Sequence, residues 1–410
     1  MNAHMIWIAV GLLVLLTAIF TFRFARFDRE TKKGTVALKA GKIEEAEQHF
    51  KSALKIAQDL RDGGRSERQV IAWHHLSVLA AKRGQKEEAV RCAGHALQAM
   101  PAVRRTNTAN FNKVFAHIAD VLEQNGEYDD AVHFRQLEVK TIPAQTVKDA
   151  NPVTGSLIKL ARALKNADRP AEAVTAYESV CKLQQSSNVA HARMEMASML
   201  RKLGKNDEAE QQHKQAIEMF RKSEGEQGAN VAIALSNFGI FYSEMQRFDE
   251  ALTVYQQSLD IRRKLYGETS ARYALTQNNL ANCLRQAGRL DEAATHAQSS
   301  IIILRAENHR ALPNALDTMG LTLRDGGRIA EAQTYIAESC ALLKAKPNRD
   351  SQDYQKFSGH HVDILECLER YAEADAARME AQIVNEERKV NRSLSAILDP
   401  VMVSVKSIRP

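Results

Sequence analysis

Gln246 to Ala293 reads QRFDEALTVYQQSLDIRRKLYGETSARYALTQNNLANCLRQAGRLDEA, and its two ends nearly coincide, Arg247 to Ala251 as R-F-D-E-A and Arg289 to Ala293 as R-L-D-E-A. The two closing alanines stand 42 residues apart. Outward from this stretch, an acidic residue followed by alanine recurs at Ala46, Ala89, Ala131, Ala173, Ala209, Ala251, Ala293, Ala332 and Ala374. The intervals are 43, 42, 42, 36, 42, 42, 39 and 42 residues. Nine units at nearly one period point to an array of stacked supersecondary units, not to an ordinary globular core.

Five residues before each alanine stands Gly41, Gly84, Gly126, Asp168, Gly204, Gln246, Gly288, Gly327 or Glu369. A helix that ends there needs a residue at positive φ, which Gly adopts without a Cβ clash and Asp tolerates. Apolar residues upstream, such as Trp73, Leu76 and Ala80 or Phe115, Ile118 and Leu122, have helical spacing. The acid before each alanine falls in the first turn of the next helix, where the dipole favours negative charge. The alanine is small enough for two antiparallel helices to approach closely. Each unit is therefore a helical hairpin, and the chain is expected to be all-α.

The second unit, Trp73, Leu76, Ser77, Ala80, Gly84, Ala89, Ala96 and Pro101, resembles the tetratricopeptide consensus. The usual period of that family is about 34 residues. A longer period, with Asn278-Asn279-Leu280-Ala281 and Ser236-Asn237-Phe238-Gly239, is similar to the kinesin-light-chain type. The resemblance implies a right-handed superhelical solenoid of about nine hairpins over residues 31–384. The short Ala173 to Ala209 interval, and the want of aromatic anchors in the first and last units, lead us to expect less regular packing there.

Met5 to Phe22 is an unbroken apolar run, MIWIAVGLLVLLTAIFTF. As a helix it would span about 27 Å, enough for one bilayer crossing. No Lys or Arg precedes it, so it is read as a retained single-pass transmembrane anchor, residues 1–30 with its flank, and not as a cleaved signal. Arg23, Arg26, Arg29, Lys32 and Lys33 follow it, and the positive-inside rule then puts the N-terminus outside and the solenoid in the cytoplasm. The cysteines, Cys92, Cys181, Cys283, Cys340 and Cys367, are odd in number and without C-x-x-C spacing, which suits a reducing compartment. Residues 385–410 are expected to be a charged helical extension and a tail in which Val401 to Val405 alternates like a strand.

No Walker loop, G-x-G-x-x-G or G-x-S-x-G occurs, so no enzyme class has a motif behind it, and no cofactor or catalytic residue is expected. His74-His75 and His360-His361 point about 100° apart on a helix and cannot chelate from one face, so no metal is expected. The net charge of +6 comes from 56 basic residues interleaved with 50 acidic ones, and aromatics are 6%. Nucleic acid is not the expected partner. The resemblance implies instead a groove lined by the first helix of each unit. It assigns to that groove Arg201, Asn237, Asn279, Asn282, Arg285 and Arg324, asparagines to hold an extended backbone and arginines to meet carboxylates. The expected function is a membrane-anchored scaffold that captures a protein segment, possessing acidic residues, on the cytoplasmic side. The rival is an envelope assembly factor of the same fold that faces a periplasm.

Overall fold

The structure, a computed structural model, describes residues 3–59, 67–99, 109–140, 142, 150–183, 187–344 and 351–392. For residues 3–20 it describes the backbone alone. The expected strand at Val401 to Val405 lies outside the described residues. The described residues form an all-α repeat solenoid of eighteen helices and contain no strand. They fall into two compact units whose described parts are residues 3–167 and 168–391.

The first unit holds α1 (Ala3–Lys39), α2 (Ile43–Asp59), α3 (Glu67–Lys82), α4 (Lys86–Ala99), α5 (Ala109–Asn125), α6 (Tyr128–Lys140) and α7 (Ala150–Asn166). The second holds α8 (Pro170–Leu183), α9 (Ser187–Lys202), α10 (Asn206–Glu224), α11 (Ala229–Glu244), α12 (Phe248–Tyr266) and α13 (Ala271–Gln286). It continues with α14 (Leu290–Ala306), α15 (Leu312–Asp325), α16 (Ile329–Lys344), α17 (Ser351–Cys367) and α18 (Tyr371–Arg392). Helix α1 runs without a break through residue 30, so the basic flank of the apolar run is itself the first helix of the first hairpin. Among the described residues no helix is long and apolar enough to cross a membrane. Apart from Thr21 and Phe22, the run Met5 to Phe22 falls outside that statement, because its side chains are not described.

All nine ladder alanines have no exposed surface. All nine residues at the expected helix stops have positive φ, from 54° at Asp168 to 81° at Gly126, and they include Gln246 at 58° and Glu369 at 59°. Gly288 shows the reason: its N–H donates to the Arg285 carbonyl and the Arg289 N–H reaches back to Leu284 O at 2.9 Å, a closure that only a left-handed residue allows. Five of the acids that precede these alanines have an arginine partner as well. Glu172, Glu250, Glu292, Glu331 and Glu373 pair with Arg169, Arg247, Arg289, Arg328 and Arg370, three residues earlier.

In three hairpins a glycine of the first helix faces the side chain sixteen residues on. A Cβ on Gly239 would lie 2.6 Å from the Tyr255 ring, and one on Gly320 2.3 Å from Ile336 Cγ1. In the same register Ala161 precedes Tyr177 and Ala281 precedes Ala297, all four fully buried, so alanine takes this position before a large residue as well as before a small one. Buried serines fasten the same pairs of helices: Ser258, Ser300 and Ser339 donate to the carbonyls of Ala232, Ala274 and Pro313 at 2.7, 2.9 and 2.8 Å. Placing a ring on the ladder forces these helices apart. Ala251→Phe is expected to lower unfolding free energy by about 1–3 kcal/mol, and an unchanged urea midpoint would remove the packing role.

Two expectations of irregularity are corrected. The first hairpin has its aromatic anchor, Phe50, fully buried and seated where a Gly34 Cβ would be 2.6 Å away. In α17 Tyr354 and Phe357 are buried too, each 3% exposed. The short interval between Ala173 and Ala209 coincides with a short helix, α8 having 14 residues against 19 in α10 and α12.

The third hairpin departs from the pattern in its core. Arg135, 1% exposed, occupies the register of Tyr177 and Tyr255. Its Nε donates to Glu123 at 2.8 Å, Nη1 to Glu138 at 2.8 Å and to the Ala116 carbonyl at 3.2 Å, and Nη2 to Asp120. Ser156 of α7 donates to the other Glu138 oxygen at 2.7 Å, so one buried guanidinium ties α5, α6 and α7 together.

Candidate functional site

Within the second unit successive first helices touch: α9 with α11, α11 with α13, α13 with α15 and α15 with α17. The six groove residues lie on four of these helices, Arg201 on α9, Asn237 on α11, Asn279, Asn282 and Arg285 on α13, and Arg324 on α15. The structure brings them together mainly through bonds to the neighbouring repeat. Arg201 Nε pairs with Glu244 at 2.6 Å, and Arg285 Nη1 with Asp325 at 2.6 Å. Arg324 Nη2 holds the same Asp325 at 3.0 Å. Asn279 Nδ2 donates to Ser236 Oγ at 3.3 Å, while Asn282 Oδ1 accepts from Arg285 Nη2 at 3.1 Å. These guanidiniums are thus already neutralised inside the chain, side-chain exposures being 32% for Arg201, 17% for Arg285 and 30% for Arg324.

Asn237 is different. Among the described residues its Nδ2 donates only to the Met194 thioether, 4.0 Å away, and sulfur of that type is a weak acceptor. Ile233 and Ile240, one turn before and one after it on the same face, are 39% and 38% exposed. In the register of Ile240 stand Ser198, Asn282 and Leu321, so the apolar pair belongs to α11 in particular. Next along, Asn278 Oδ1 is buried without a donor, which costs about 1–3 kcal/mol while it stays so. Ile233, Ile240 and Asn278 are not among the six groove residues that the repeat positions assign. The available signal was that α11 is apolar on every side, which a half-buried helix does not need.

Around the groove's back wall, His213 of α10 packs against Phe238 and Phe241 of α11, ring centroids 5.3 and 5.5 Å away. Burial pushes its imidazole down to about 4. Burial likewise pushes the Cys92 thiol up to about 12, and none of the five cysteines is in a disulfide. Only Cys367 is exposed. Among the described residues no group of three or more His, Cys, Asp or Glu is placed to hold a metal ion.

The chain is similar to several solved structures. The apo form of the quorum sensor NprR from B. thuringiensis is 14% identical, covers 87% of this chain and 97% of its own, and gives a TM-score of 0.50. BtubC (BKLC) from P. vanneervenii is 23% identical over 59% of this chain and 92% of that one, with a TM-score of 0.43. A putative kinesin light chain from Podosopora anserina, built of nearly identical TPR-like repeats, is 18% identical over 46% and 93%, with a TM-score of 0.40. No curated protein matches the chain significantly. The sequence profile described as tetratricopeptide repeat matches residues 30–102, 188–264, 230–306 and 272–345, more than half of the chain. On that match, and on eighteen helices that recur at its period, the chain belongs to the tetratricopeptide repeat family.

Proposed function

We propose that the chain is a scaffold that holds an extended segment of a protein partner along α9, α11, α13 and α15, and that Met5 to Phe22 anchors it in a membrane. The observation that carries the binding reading is the open Ile233–Asn237–Ile240 face of α11. Its amide suits a peptide backbone, which offers one N–H and one C=O per residue, and the two isoleucines suit apolar side chains on either side. Asn279 repeats the amide 42 residues on. The arginines enter this reading already paired, so acidic residues of the segment must compete with Glu244 and Asp325. Charge then selects weakly and apolar fit selects strongly.

The test starts from full-length chain in nanodiscs and peptides selected against it from a displayed library. Asn237→Ala or Asn279→Ala is expected to weaken the selected peptide by about 0.5–1.5 kcal/mol each. Ile233→Ser with Ile240→Ser should weaken it more, and Arg285→Ala with Arg324→Ala by under about 1 kcal/mol. Wild-type affinity in all of them would place binding elsewhere on the chain.

The anchor is supported by the length and composition of the apolar run and by its basic flank. Full-length chain should stay in membranes through an alkaline carbonate wash, and its release would remove the anchor. Cys367 decides the side. A membrane-impermeant maleimide should label it only after lysis if the solenoid faces the cytoplasm, and in intact cells if it faces a periplasm.

A further inference from the structure

The cations of α1 differ from those of the groove. Arg201, Arg285 and Arg324 each hold a carboxylate, but among the described residues none pairs with Arg26, Arg29, Lys32 or Lys33. All four are exposed. The two acids nearest in sequence do not serve them: Glu30 holds His49 at 2.8 Å, and Asp28 makes no ion pair among the described residues. Unpaired like charges at helical spacing repel one another, by a few tenths of a kcal/mol per pair in an isolated helix. Such a grouping is stabilised by an external anion.

Their placement says which anion. Phe22, Arg26, Arg29 and Lys33 follow at i, i+4, i+7 and i+11, one stripe of α1, and Phe22 at its start is 67% exposed. Arg29 and Lys33 lie about 10 and 16 Å beyond Phe22 along the axis. Helical side chains lean toward the N-terminus, and Lys and Arg stems extend further that way, which brings these charges toward the end of the apolar run. Beside the stripe, Arg29, Lys32, Lys33 and Lys42 line a cleft of about 460 Å³ together with exposed Val36 and Ala40 and buried Ala37. Its one acid, Glu45, is paired with Lys42 at 3.2 Å.

We propose that the Arg26–Arg29–Lys32–Lys33 stripe of α1, with the mouth of this cleft, binds the phosphate of anionic phospholipid headgroups at the membrane surface. The proposal rests on the anchor reading above. Arginine forks match phosphate oxygens bidentately, lysines add charge, and the field of an anionic leaflet reaches about a Debye length of 8–10 Å into water.

Full-length chain is placed in nanodiscs of phosphatidylcholine alone or with about 30 mol% phosphatidylglycerol, enough to set up an anionic surface. Amine acetylation of Lys32 and Lys33 is then followed by mass spectrometry, with Lys264 of α12 as reference. The expected result is labelling at least roughly fivefold slower in anionic discs for Lys32 and Lys33, unchanged for Lys264, and restored by Arg26→Gln with Arg29→Gln. Equal labelling in both discs overturns the proposal, as does protection that survives the double variant. Protection reproduced in phosphatidylcholine discs by inorganic phosphate at matched ionic strength assigns the stripe to a free anion and also overturns it. Co-elution with the uncharged discs reads the anchor separately. If that fails while protection and co-elution persist on anionic discs, the anchor reading falls and the lipid site stands.

Discussion

Arg135→Ala is expected to lower the stability of the first unit by about 3–5 kcal/mol, the usual result of removing one member of a buried ionic group. The guanidinium is 1% exposed and is the hub for Asp120, Glu123 and Glu138, the last of which is itself 4% exposed. Without it, Glu138 loses the guanidinium that balances its charge while Ser156 still donates to it. Hydrogen exchange of α5, α6 and α7 in the full-length protein reads the loss directly. A second variant separates charge from packing: Arg135→Tyr with Glu138→Leu restores the residue type of Tyr177 and Tyr255 and removes the buried acid. That double variant should recover most of the lost protection, because replacing a whole buried ionic group by apolar residues is often neutral. Exchange in Arg135→Ala that matches the wild type would mean that the carboxylates find other partners.

Acid is expected to weaken the second unit through His213. Its folded value of about 4 lies below the ordinary 6.5, so the unfolded chain takes up the proton first as pH falls. Stability is full above about 6.5 and is lost progressively as pH falls toward 4, by about 2 kcal/mol at pH 5. The cause is geometric. His213 is 4% exposed, its Nδ1 has no hydrogen-bond partner, and Phe238 and Phe241 face it. His213→Phe places in α10 the aromatic type that α8 and α12 carry as Tyr177 and Tyr255. Urea midpoints at pH 7.5 and 5 should then differ by about 2 kcal/mol less than in the wild type. A wild-type pH slope in the variant would assign the acid sensitivity to other groups.

The repeat could be read from residues because its two strictest demands are steric and local. A zero-exposure contact admits only alanine, and a left-handed stop admits glycine most readily. Gln246 and Glu369 show the limit of residue type, since nothing in either side chain announces a positive φ. Register announced it, through the alanine five residues on. Arg135 was illegible for the opposite reason: a charge becomes buried only because Asp120, Glu123 and Glu138 arrive from two helices, and pairing across elements has no sequence period. The groove was legible in part. Asn237 and Asn279 recur at the period, but Ile233 and Ile240 looked like ordinary apolar helix, and the arginines' partners on the next repeat were not sought. The continuity of α1 through residue 30 was hidden by a change of composition that the backbone ignores.

The matching of Gly239 with Tyr255 and of Gly320 with Ile336 also bears on how such a chain can change its number of repeats. A crossover between two hairpins moves a first helix together with the second helix cut to fit it, and the product folds. A crossover at the turn inside a hairpin exchanges partners. Joining α11 to α14 would set Gly239 against Ala297 and leave a void where Tyr255 stood, and joining α15 to α14 would do the same at Gly320. Insertions and deletions that survive in this lineage should therefore begin and end between hairpins, and the inheritable module is the helix pair that shares one fitted contact.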